Sequence, residues 1–412
     1  MSSLSQPLCD GDDSRFDVAR ARAETPGCDH VVHLNNAGAS LPPGPVVDAV
    51  LGHLGLEARI GGYEAAAEAA DTVDRPYAAA AHLLGCDPGE IAVLESATRA
   101  WQAAFGAVPL EAGDRVLTSA AEYGSNYMQL LHTARRRRVE VEVIPDDESG
   151  QVSVTALADA IDDRVKLVAI THVPTGGGLV NPVAEVGRVT RDAGIPFLLD
   201  ACQSLGQVPL DVDTIGCDFL AATSRKFVRG PRGVGVLYAR GATTDHLEPA
   251  LVDMRSAVWD APAHYEVHQG GRRFEGWEIS TAAKIGFGVA LDYAAGWGVD
   301  AIWHRVATLG ARLRSGLAAL PGVYVRDRGA VLGAIVTFSV EGSTPDEVRS
   351  ALHEAGVNVW VVGAGAARLD LDRRGLASVV RASVHYFNTD DELERCCEVV
   401  RTMPAVKPGG RQ

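Results

Sequence analysis

A lysine on a short polar segment is the side chain of this sequence best placed for covalent chemistry. Lys226 follows the apolar stretch DFLAAT (218–223) and precedes a loop rich in glycine and proline, FVRGPRG. A lysine in such a position is usually a surface residue. A lysine kept near an aldehyde, however, can form a Schiff base, and a lowered pKa helps because the neutral amine is the nucleophile. Lys226 is therefore a candidate catalytic residue.

A carboxylate ends a second apolar stretch. PFLLDA (196–201) places Asp200 at its end, with Gln203 three residues further on. A buried carboxylate costs free energy unless a cation or a hydrogen-bond donor meets it, and a protonated heterocyclic nitrogen would be a suitable partner. The alternative is that Asp200 is a helix N-cap, and the sequence alone leaves both interpretations open.

A third apolar stretch, IAVLES (91–96), runs directly into helical spacing. The first turn of that helix offers Ser96, Ala97, Thr98 and Arg99. Free backbone N–H groups, a hydroxyl and a guanidinium at a helix N-terminus can bind a phosphate. The same hydroxyls could serve only as helix caps, so this segment by itself indicates an anion site without requiring one.

Several nucleotide-binding and hydrolase motifs are absent from the sequence. There is no GxGxxG after a first strand and no GxxxxGK[ST], which argues against a Rossmann dehydrogenase and a P-loop NTPase. A GxSxG nucleophile elbow is missing as well. The run Gly176–Gly178 lies in THVPTGGGLVNP and matches none of these motifs.

The elements that position these residues follow a strand–helix rhythm. The predicted strands, apolar along their whole length, are residues 91–96, 114–119, 139–144, 165–171, 196–201, 218–223 and 233–239. Helical spacing separates most of them, as in residues 154–163 and 183–194. This pattern predicts an α/β fold in which helices cover both faces of a mainly parallel sheet. Its working site is expected beyond the carboxyl ends of the strands.

After about residue 300 the pattern changes to short strands with helices on one side. We predict an N-terminal arm (1–30), a large cofactor-binding domain (31–298) and a smaller α+β C-terminal domain (299–412), with the boundary in GWGVDA (296–301). The total of 412 residues suits two or three domains.

Composition and charge exclude several classes of protein. Hydrophobic residues make up 47% and charged residues 22%, which is typical of a globular protein. The net charge of −15 argues against a nucleic-acid or anionic-membrane partner. The local exception is the run Arg135–Arg138, for which a solvated helix end is the preferred interpretation over an anion site.

Cysteine spacing and the first residues bear on the compartment. Seven cysteines form no CxxC pair, so neither a disulfide scaffold nor a metal site is expected. The polar and acidic start MSSLSQPLCDGDDSRFD lacks the features of a signal peptide. No apolar stretch reaches the ~18 residues of a membrane span. We therefore expect a cytoplasmic protein.

His172 follows Thr171 at the end of a predicted strand, where a structural hydrogen bond is a better explanation than catalysis.

Taken together, the motifs resemble those of a known family. Their order is Ser-Ala-Thr (96–98), Glu-Tyr-Gly-Ser-Asn (122–126), THVPT (171–175), LLDACQ (198–203), TSRK (223–226), RFE (273–275) and RAS (381–383). It resembles the fold-type I pyridoxal 5′-phosphate (PLP) enzymes of the class V aminotransferase group. That group contains cysteine desulfurases, isopenicillin N epimerase-like proteins and C–S lyases. The resemblance covers most of the chain, and HLNNAGAS (33–40) matches the segment near the group's substrate pocket.

The resemblance implies a role for each matching position. Lys226 is similar to the lysine that binds the cofactor covalently, and Asp200 to the aspartate that pairs with the pyridinium nitrogen. Gln203 matches the residue that hydrogen-bonds the phenolic oxygen. Tyr123 replaces the group's ring-stacking histidine, and Thr175 replaces a frequent asparagine. The phosphate cup would be built from Ala97, Thr98, Thr223 and Arg225.

Further implications concern the substrate and the oligomer. Arg381 matches the arginine that binds the substrate α-carboxylate in a bidentate pair, and Asn36 lies in the segment near the substrate. RFEGWEIS (273–280) resembles a segment that one subunit lends to the phosphate site of the other, so a homodimer with a shared active site is expected.

One absence separates the subfamilies. A cysteine desulfurase needs a nucleophilic cysteine on a mobile loop, and the matching region NVWVVGAGAARLD (358–370) contains none, while Cys396 and Cys397 lie in the last helical stretch. The resemblance therefore favours a C–S β-lyase acting on an S-substituted cysteine in thiol or antibiotic metabolism, without a persulfide step. The alternatives are decarboxylation coupled to oxidative deamination, epimerisation, transamination and, in a different class, a non-catalytic binding protein.

Overall fold

The computed structural model describes residues 16–403. Its helices are α1 (Val18–Ala23), α2 (Gly44–Ile60), α3 (Gly62–Glu68), α4 (Ala70–Leu84), α5 (Ala97–Ala107), α6 (Gly124–Arg137), α7 (Val154–Ala160), α8 (Val183–Ala193), α9 (Val212–Ile215), α10 (Gly241–Thr244), α11 (Thr281–Trp297), α12 (Val299–Ala318), α13 (Pro345–Glu354), α14 (Ala364–Arg373) and α15 (Asp390–Thr402). Short 3₁₀ helices span Pro26–Asp29, Pro88–Glu90 and Gly271–Phe274.

The strands form one large sheet, one smaller sheet and two short pairs. They are β1 (Val32–His33), β2 (Ile91–Leu94), β3 (Arg115–Ser119), β4 (Glu140–Ile144), β5 (Val165–Thr171), β6 (Phe197–Asp200), β7 (Phe219–Thr223), β8 (Gly235–Ala239), β9 (Ala257–Ala261), β10 (His264–Val267), β11 (Val323–Val325), β12 (Ile335–Val340), β13 (Val357–Asn358), β14 (Trp360–Gly363) and β15 (Ser378–Ser383).

The large sheet has seven strands in the order β2-β8-β7-β6-β5-β3-β4. The five strands from β7 to β4 are parallel, and β8 runs antiparallel to both β7 and β2. All seven predicted strands are present. The predicted α/β fold with a mainly parallel sheet is confirmed.

Helices cover both faces of this sheet because its strands alternate between two cores. In β6, Phe197 and Leu199 pack into a core with α4, α8 and α11. Leu198 points to the opposite face and packs with Trp101 of α5 and Leu130 of α6. Side chains of a strand point alternately to the two faces, so an uninterrupted apolar strand must be covered on both sides.

The chain after residue 298 builds a four-stranded antiparallel sheet in the order β11-β12-β15-β14. Helices α12, α13 and α15 pack on it through one apolar core. Gly298, with φ of +80°, separates α11 from α12 and lies within the predicted boundary segment. Because Phe227 and Val208 share the core of α12, the division into domains stays a prediction.

The arginine run ends a helix, as predicted. Helix α6 terminates at Arg137, and Arg138 has the left-handed conformation (φ 59°) common just after a helix. Arg135 and Arg136 are exposed with them. Within the described range, no helix combines the length and the apolar character needed to span a membrane.

Candidate active site

Three parallel strands end side by side, as the sheet topology requires. Thr171 at the end of β5 is in register with Asp200 at the end of β6, and Asp200 is in register with Ala221 of β7. The backbone N–H of His172 donates to the Asp200 carbonyl at 2.9 Å, which ties β5 to β6 beyond the last ladder pair. The residues that follow these strands therefore meet at one edge of the sheet.

A cavity of about 110 Å³ lies at this edge. Every residue predicted to bind the cofactor lines it: Ala97, Thr98, Tyr123, Thr175, Asp200, Gln203, Thr223, Arg225 and Lys226. Their roles toward a cofactor remain predictions, but the chain brings all nine to one place although they are spread over 130 residues of sequence.

Lys226 reaches the cavity from a tight turn after β7. Its carbonyl accepts the N–H of Arg229 at 3.0 Å, and Arg229 has a left-handed backbone (φ 66°). The side chain of Lys226 is only 9% exposed. Burial lowers the pKa of its amine from the ordinary 10.5, against the opposing effects of Cys202 and Asp200. Such an amine is more readily neutral, which is the form that reacts with a carbonyl.

Asp200 is 4% exposed and accepts hydrogen bonds from two nitrogen donors, besides a contact with the Cys202 thiol. Asn126 Nδ2 donates to Oδ2 at 2.7 Å, and the backbone N–H of Cys202 donates to Oδ1 at 2.9 Å. The next helix, α9, begins only at Val212, so the N-cap interpretation of Asp200 is wrong. Its carboxylate faces the cavity that Lys226 lines.

The start of α5, where a phosphate site is predicted, forms one end of the cavity. Ser96 is the N-cap of α5, and its hydroxyl accepts the N–H of Arg99 at 3.3 Å. Capping and anion binding are compatible here because Ala97 and Thr98 also line the cavity. Gly235 is required at the start of β8, since a Cβ there would lie 2.4 Å from the Ala97 nitrogen.

Gln203 presents an unsatisfied acceptor. Its Nε2 donates to the Ala37 carbonyl at 3.1 Å, whereas its buried Oε1 has no hydrogen-bond partner in the part of the chain that the structure describes. A buried polar atom without a partner is costly. Because Gln203 lines the cavity, a ligand there could supply the missing donor.

Arg381 is almost completely buried, and its guanidinium donates hydrogen bonds to neutral groups. Nη1 donates to the Thr175 hydroxyl at 2.6 Å, and Nη2 donates to Asn35 Oδ1 at 3.2 Å. Its buried Nε has no partner within residues 16–403. Burial and the charge of Arg225 lower its pKa to about 10. A buried guanidinium in this state is suited to bind an anion.

Asn36 does not reach the cavity, in contrast to the expectation from sequence. Its Nδ2 donates to the carbonyl of Ser383 at 2.8 Å, and its Oδ1 accepts the hydroxyl of Ser40 at 2.7 Å. The side chain is fully buried and these contacts tie the chain start to β15. The neighbouring Asn35, which alternates to the other side, is the residue that contacts Arg381.

Three residues of the site were missed. Glu122 and Asn126 form a buried polar network with Asp200. Cys202 lines the cavity, and its thiol pKa is raised well above 9.0 by burial and by Asp200. The sequence did offer a signal for Glu122, because this carboxylate comes shortly after an apolar strand, much as Asp200 comes at the end of one. His172 was also misjudged, since neither of its buried ring nitrogens has a partner among the described residues.

The set of side chains fits PLP. An amine of lowered pKa, a buried carboxylate, an unsatisfied amide oxygen and a helix N-terminus with hydroxyls correspond to the aldehyde, the ring nitrogen, the phenolic O–H and the phosphate of that molecule. Arg381 remains for a second anion, beside Thr175.

The RFEGWEIS segment lies mostly in its own subunit's core. Arg273 donates to the carbonyl of His268 at 3.0 Å, and Glu275 accepts the hydroxyl of Tyr77 at 2.7 Å. Residues 276–278 are exposed, and Trp277 among them has 51% of its surface accessible. Within one chain this segment does not line the cavity, so its role toward a second subunit remains a prediction.

Comparison with known proteins is consistent with this site. The model of the family described as aminotransferase class-V matches residues 32–396. A probable hercynylcysteine sulfoxide lyase of Mycobacterium tuberculosis is 32% identical, over 92% of this chain and 92% of that protein. A probable cysteine desulfurase of Methanothermobacter thermautotrophicus is 28% identical, over 89% and 92%. The solved structure of a cysteine desulfurase from Thermococcus onnurineus superposes with a TM-score of 0.87 at 26% identity, covering 94% and 98%.

Proposed function

The chain belongs to the aminotransferase class-V family, whose members depend on PLP, and from this premise we propose that it is a C–S β-lyase acting on an S-substituted cysteine. The family and its relatives make the chain a PLP-dependent enzyme of the C–S lyase and desulfurase type. The finer assignment, to a lyase without a persulfide step, is our proposal.

The observation that supports this proposal best is a cavity lined by all nine residues predicted to bind PLP, without a reactive thiol among its described lining residues. Among the described residues, Cys202 is the cysteine that lines the cavity, and its pKa is raised well above 9.0. The thiolate is the nucleophile in persulfide formation, so this thiol is poorly suited to attack sulfur. Cys396 and Cys397 lie on α15, in the core of the C-terminal part.

Each residue of the site has a defined task in this proposal. Arg381 binds the substrate α-carboxylate through its free Nε edge, beside Thr175. Asp200 keeps the cofactor's ring nitrogen protonated. When bound, PLP supplies an electron sink for negative charge at the substrate Cα. Lys226, whose pKa is lowered by burial, accepts the Cα proton.

The Cβ–S bond then breaks, and its electron pair leaves with the sulfur. The products are a thiol and an enamine, which water converts to pyruvate and ammonia. A sulfur substituent makes this bond the weakest at Cβ, because a thiolate is a good leaving group. The proposal also places the reaction in the cytoplasm, in thiol metabolism.

Product analysis tests the function directly. The holoenzyme is incubated with a series of S-alkyl cysteines, and pyruvate and thiol are measured together. Equal amounts of both support the lyase. Absence of pyruvate from every conjugate removes it. Solvent deuterium at Cα without thiol would indicate epimerisation, pyridoxamine phosphate would indicate transamination, and CO₂ release would indicate decarboxylation.

We further propose a homodimer that completes the active site. Large apolar side chains are exposed close together in sequence, namely Leu251 (78%), Met254 (71%), Trp259 (75%) and Trp277 (51%). Such residues scattered singly would be unremarkable, but a group of them indicates a contact surface. Thr98 at the cavity is exposed as well.

Light scattering after size exclusion tests the dimer. We expect the wild-type chain to have twice its monomer mass. Trp277→Glu should shift it toward the monomer and weaken PLP binding, because a buried charge opposes association. Tyr324→Glu, on the exposed face of β11, serves as the matched control. A wild-type monomer with full PLP affinity would contradict this proposal.

A further inference from the structure

Glu122 is a buried carboxyl for which the reaction proposed above has no use. Its side chain is 2% exposed and lies behind the cavity, between β3 and β5. Its donors are the hydroxyl of Thr118 to Oε2 at 3.0 Å and, to Oε1, the hydroxyl of Thr171 at 2.7 Å, the N–H of Tyr123 at 2.8 Å and Asn126 at 2.9 Å. No basic side chain is among these donors.

Asn126 connects Glu122 to Asp200. One amide group, Nδ2, donates to Oε1 of Glu122 at 2.9 Å and to Oδ2 of Asp200 at 2.7 Å. An amide NH₂ has two hydrogens, so both are used. The hydrogen bond to Glu122 thereby fixes the orientation of the Asn126 amide plane. The hydrogen bond from Asn126 to Asp200 in turn fixes the position of Oδ2 of Asp200.

Simultaneous ionisation of two buried carboxyls linked by a neutral amide is disfavoured, because each negative charge raises the free energy of the other in a medium of low polarity. Asp200 must be ionised to pair with a protonated ring nitrogen. Glu122 is then the group that keeps a proton. Burial and the charge of Asp200 raise its pKa from 4.5 to about 7, and Asp200 is the titratable group that acts on it.

The hydrogen bonds from Thr171, Asn126 and Tyr123 lower the pKa of Glu122 and so oppose the effects of burial and Asp200, which are larger. The same geometry also accommodates a neutral carboxyl. Oε1 receives three donors and behaves as the carbonyl oxygen, while Oε2 has one neighbour, the Thr118 hydroxyl, which can accept a proton as well as donate one. With the proton on Oε2, every polar atom of Glu122 is satisfied without a second negative charge.

We propose that Glu122 is a positioning residue whose protonated carboxyl orients the Asn126 amide, which in turn holds the Asp200 carboxylate toward the cofactor nitrogen. This inference rests on the assignment of Asp200 in the proposed function. It is independent of which bond of the substrate is broken.

Infrared spectroscopy of the full-length holoenzyme tests the protonation. A protonated carboxyl has a C=O stretching band that carboxylates lack. At about pH 6, below the pKa of Glu122, the wild type should show this band and Glu122→Gln should not, whereas Glu398→Gln, exposed on α15, should leave it unchanged. A wild-type spectrum identical to that of Glu122→Gln would overturn the proposal.

The link through Asn126 needs its own variant, because its loss removes the amide donor to Oδ2 of Asp200. Asn126→Ala should weaken PLP binding about tenfold and shift the pH dependence of the bound cofactor's absorption, since a hydrogen bond to a charged group is lost. In the wild type, ionisation of Glu122 as the pH rises should change the absorption of the bound cofactor. Glu122→Gln should lack this change, because glutamine imitates the neutral acid and does not ionise. An Asn126→Ala enzyme with wild-type PLP affinity and pH profile would overturn the positioning role. Failure of the lyase assay alone would leave these results in place.

Discussion

At the scale of single residues, the site separates two cavity side chains that sequence alone cannot distinguish. Lys226 and Cys202 both line the cavity, and burial acts on both. It lowers the pKa of an amine and raises that of a thiol, because each group is driven toward its neutral form. The neutral amine is the reactive form of lysine, whereas the neutral thiol is the unreactive form of cysteine.

Cys202→Ala should therefore leave lyase turnover within about tenfold of wild type, measured as kcat/KM for pyruvate release. Asp200 keeps the hydrogen bond from the backbone N–H at 202 in this variant and loses only the one from the Cys202 thiol. Cys217→Ala, buried at the back of the sheet, is the matched control. Complete loss of turnover in Cys202→Ala alone would indicate that sulfur is transferred to this thiol.

Sequence predicted the residues at strand ends and missed those that depend on distant contacts. Asp200 and Lys226 could be identified because a charge at the end of an apolar strand is unusual. Asn35 could not be separated from Asn36, since their sides are set by the contact with β15. Asn126 lies inside α6, where nothing in the sequence indicates that it faces β6.

At the scale of secondary structure, the segment that would carry a mobile persulfide loop forms a helix, kinked at Ala367, that contacts α6. Helix α14 (Ala364–Arg373) begins against α6, where Gly124 meets Gly365. A Cβ on Gly124 would lie 2.4 Å from the Gly365 carbonyl oxygen, so only glycine permits this approach. Gly124 immediately follows Tyr123, which lines the cavity.

Gly124→Ala should lower the free energy of unfolding by about 1–3 kcal/mol, because the added methyl group overpacks the contact between α6 and α14. Chemical denaturation measures this change. Gly365→Ala is the control on the other side of the same contact, where a Cβ has no heavy atom within 4 Å. Equal stability of both variants would show that α14 is free to move away from α6.

Strand prediction succeeded for a physical reason that does not extend to the whole chain. Strands β2, β3 and β5 to β8 are buried on both faces, so their sequences are mostly apolar and end where polarity returns, whereas the edge strand β4 is largely exposed and alternates glutamate with valine. The hairpin of β9 and β10 was not predicted, since its residues are mostly exposed and form no regular pattern of buried apolar positions. A strand without a buried face lacks the periodic signal.

At the scale of the whole molecule, buried histidines link stability to pH. Burial lowers the pKa of His172 from 6.5 to about 3. The unfolded chain takes up a proton near pH 6.5 and the folded chain only near pH 3, so acid favours unfolding across that window. His385 acts in the same direction, because its pKa is also well below 6.5.

His172→Leu should weaken this acid sensitivity. Between pH 7 and pH 5 the wild type should lose ~2 kcal/mol more unfolding free energy than the variant. Leucine removes the titrating ring without leaving a former partner unpaired, because neither ring nitrogen has one in the described part of the chain. His246→Leu, which lies after α10 on the surface, is the control. Parallel pH curves for wild type and His172→Leu would contradict the burial of a neutral ring.

The central claim is that one amine of this chain binds the cofactor covalently. The sequence contains four lysines, at 166, 226, 284 and 407, which makes the site of attachment easy to identify. Lys284 is the strongest alternative site of attachment, since burial lowers its pKa to about 8. Its amine, however, donates to the Tyr77 hydroxyl in the core, away from the cavity. Borohydride reduction of the PLP-loaded enzyme followed by peptide mass spectrometry locates the label. We predict it on Lys226, and a label on Lys284, or none on any lysine, would contradict the account.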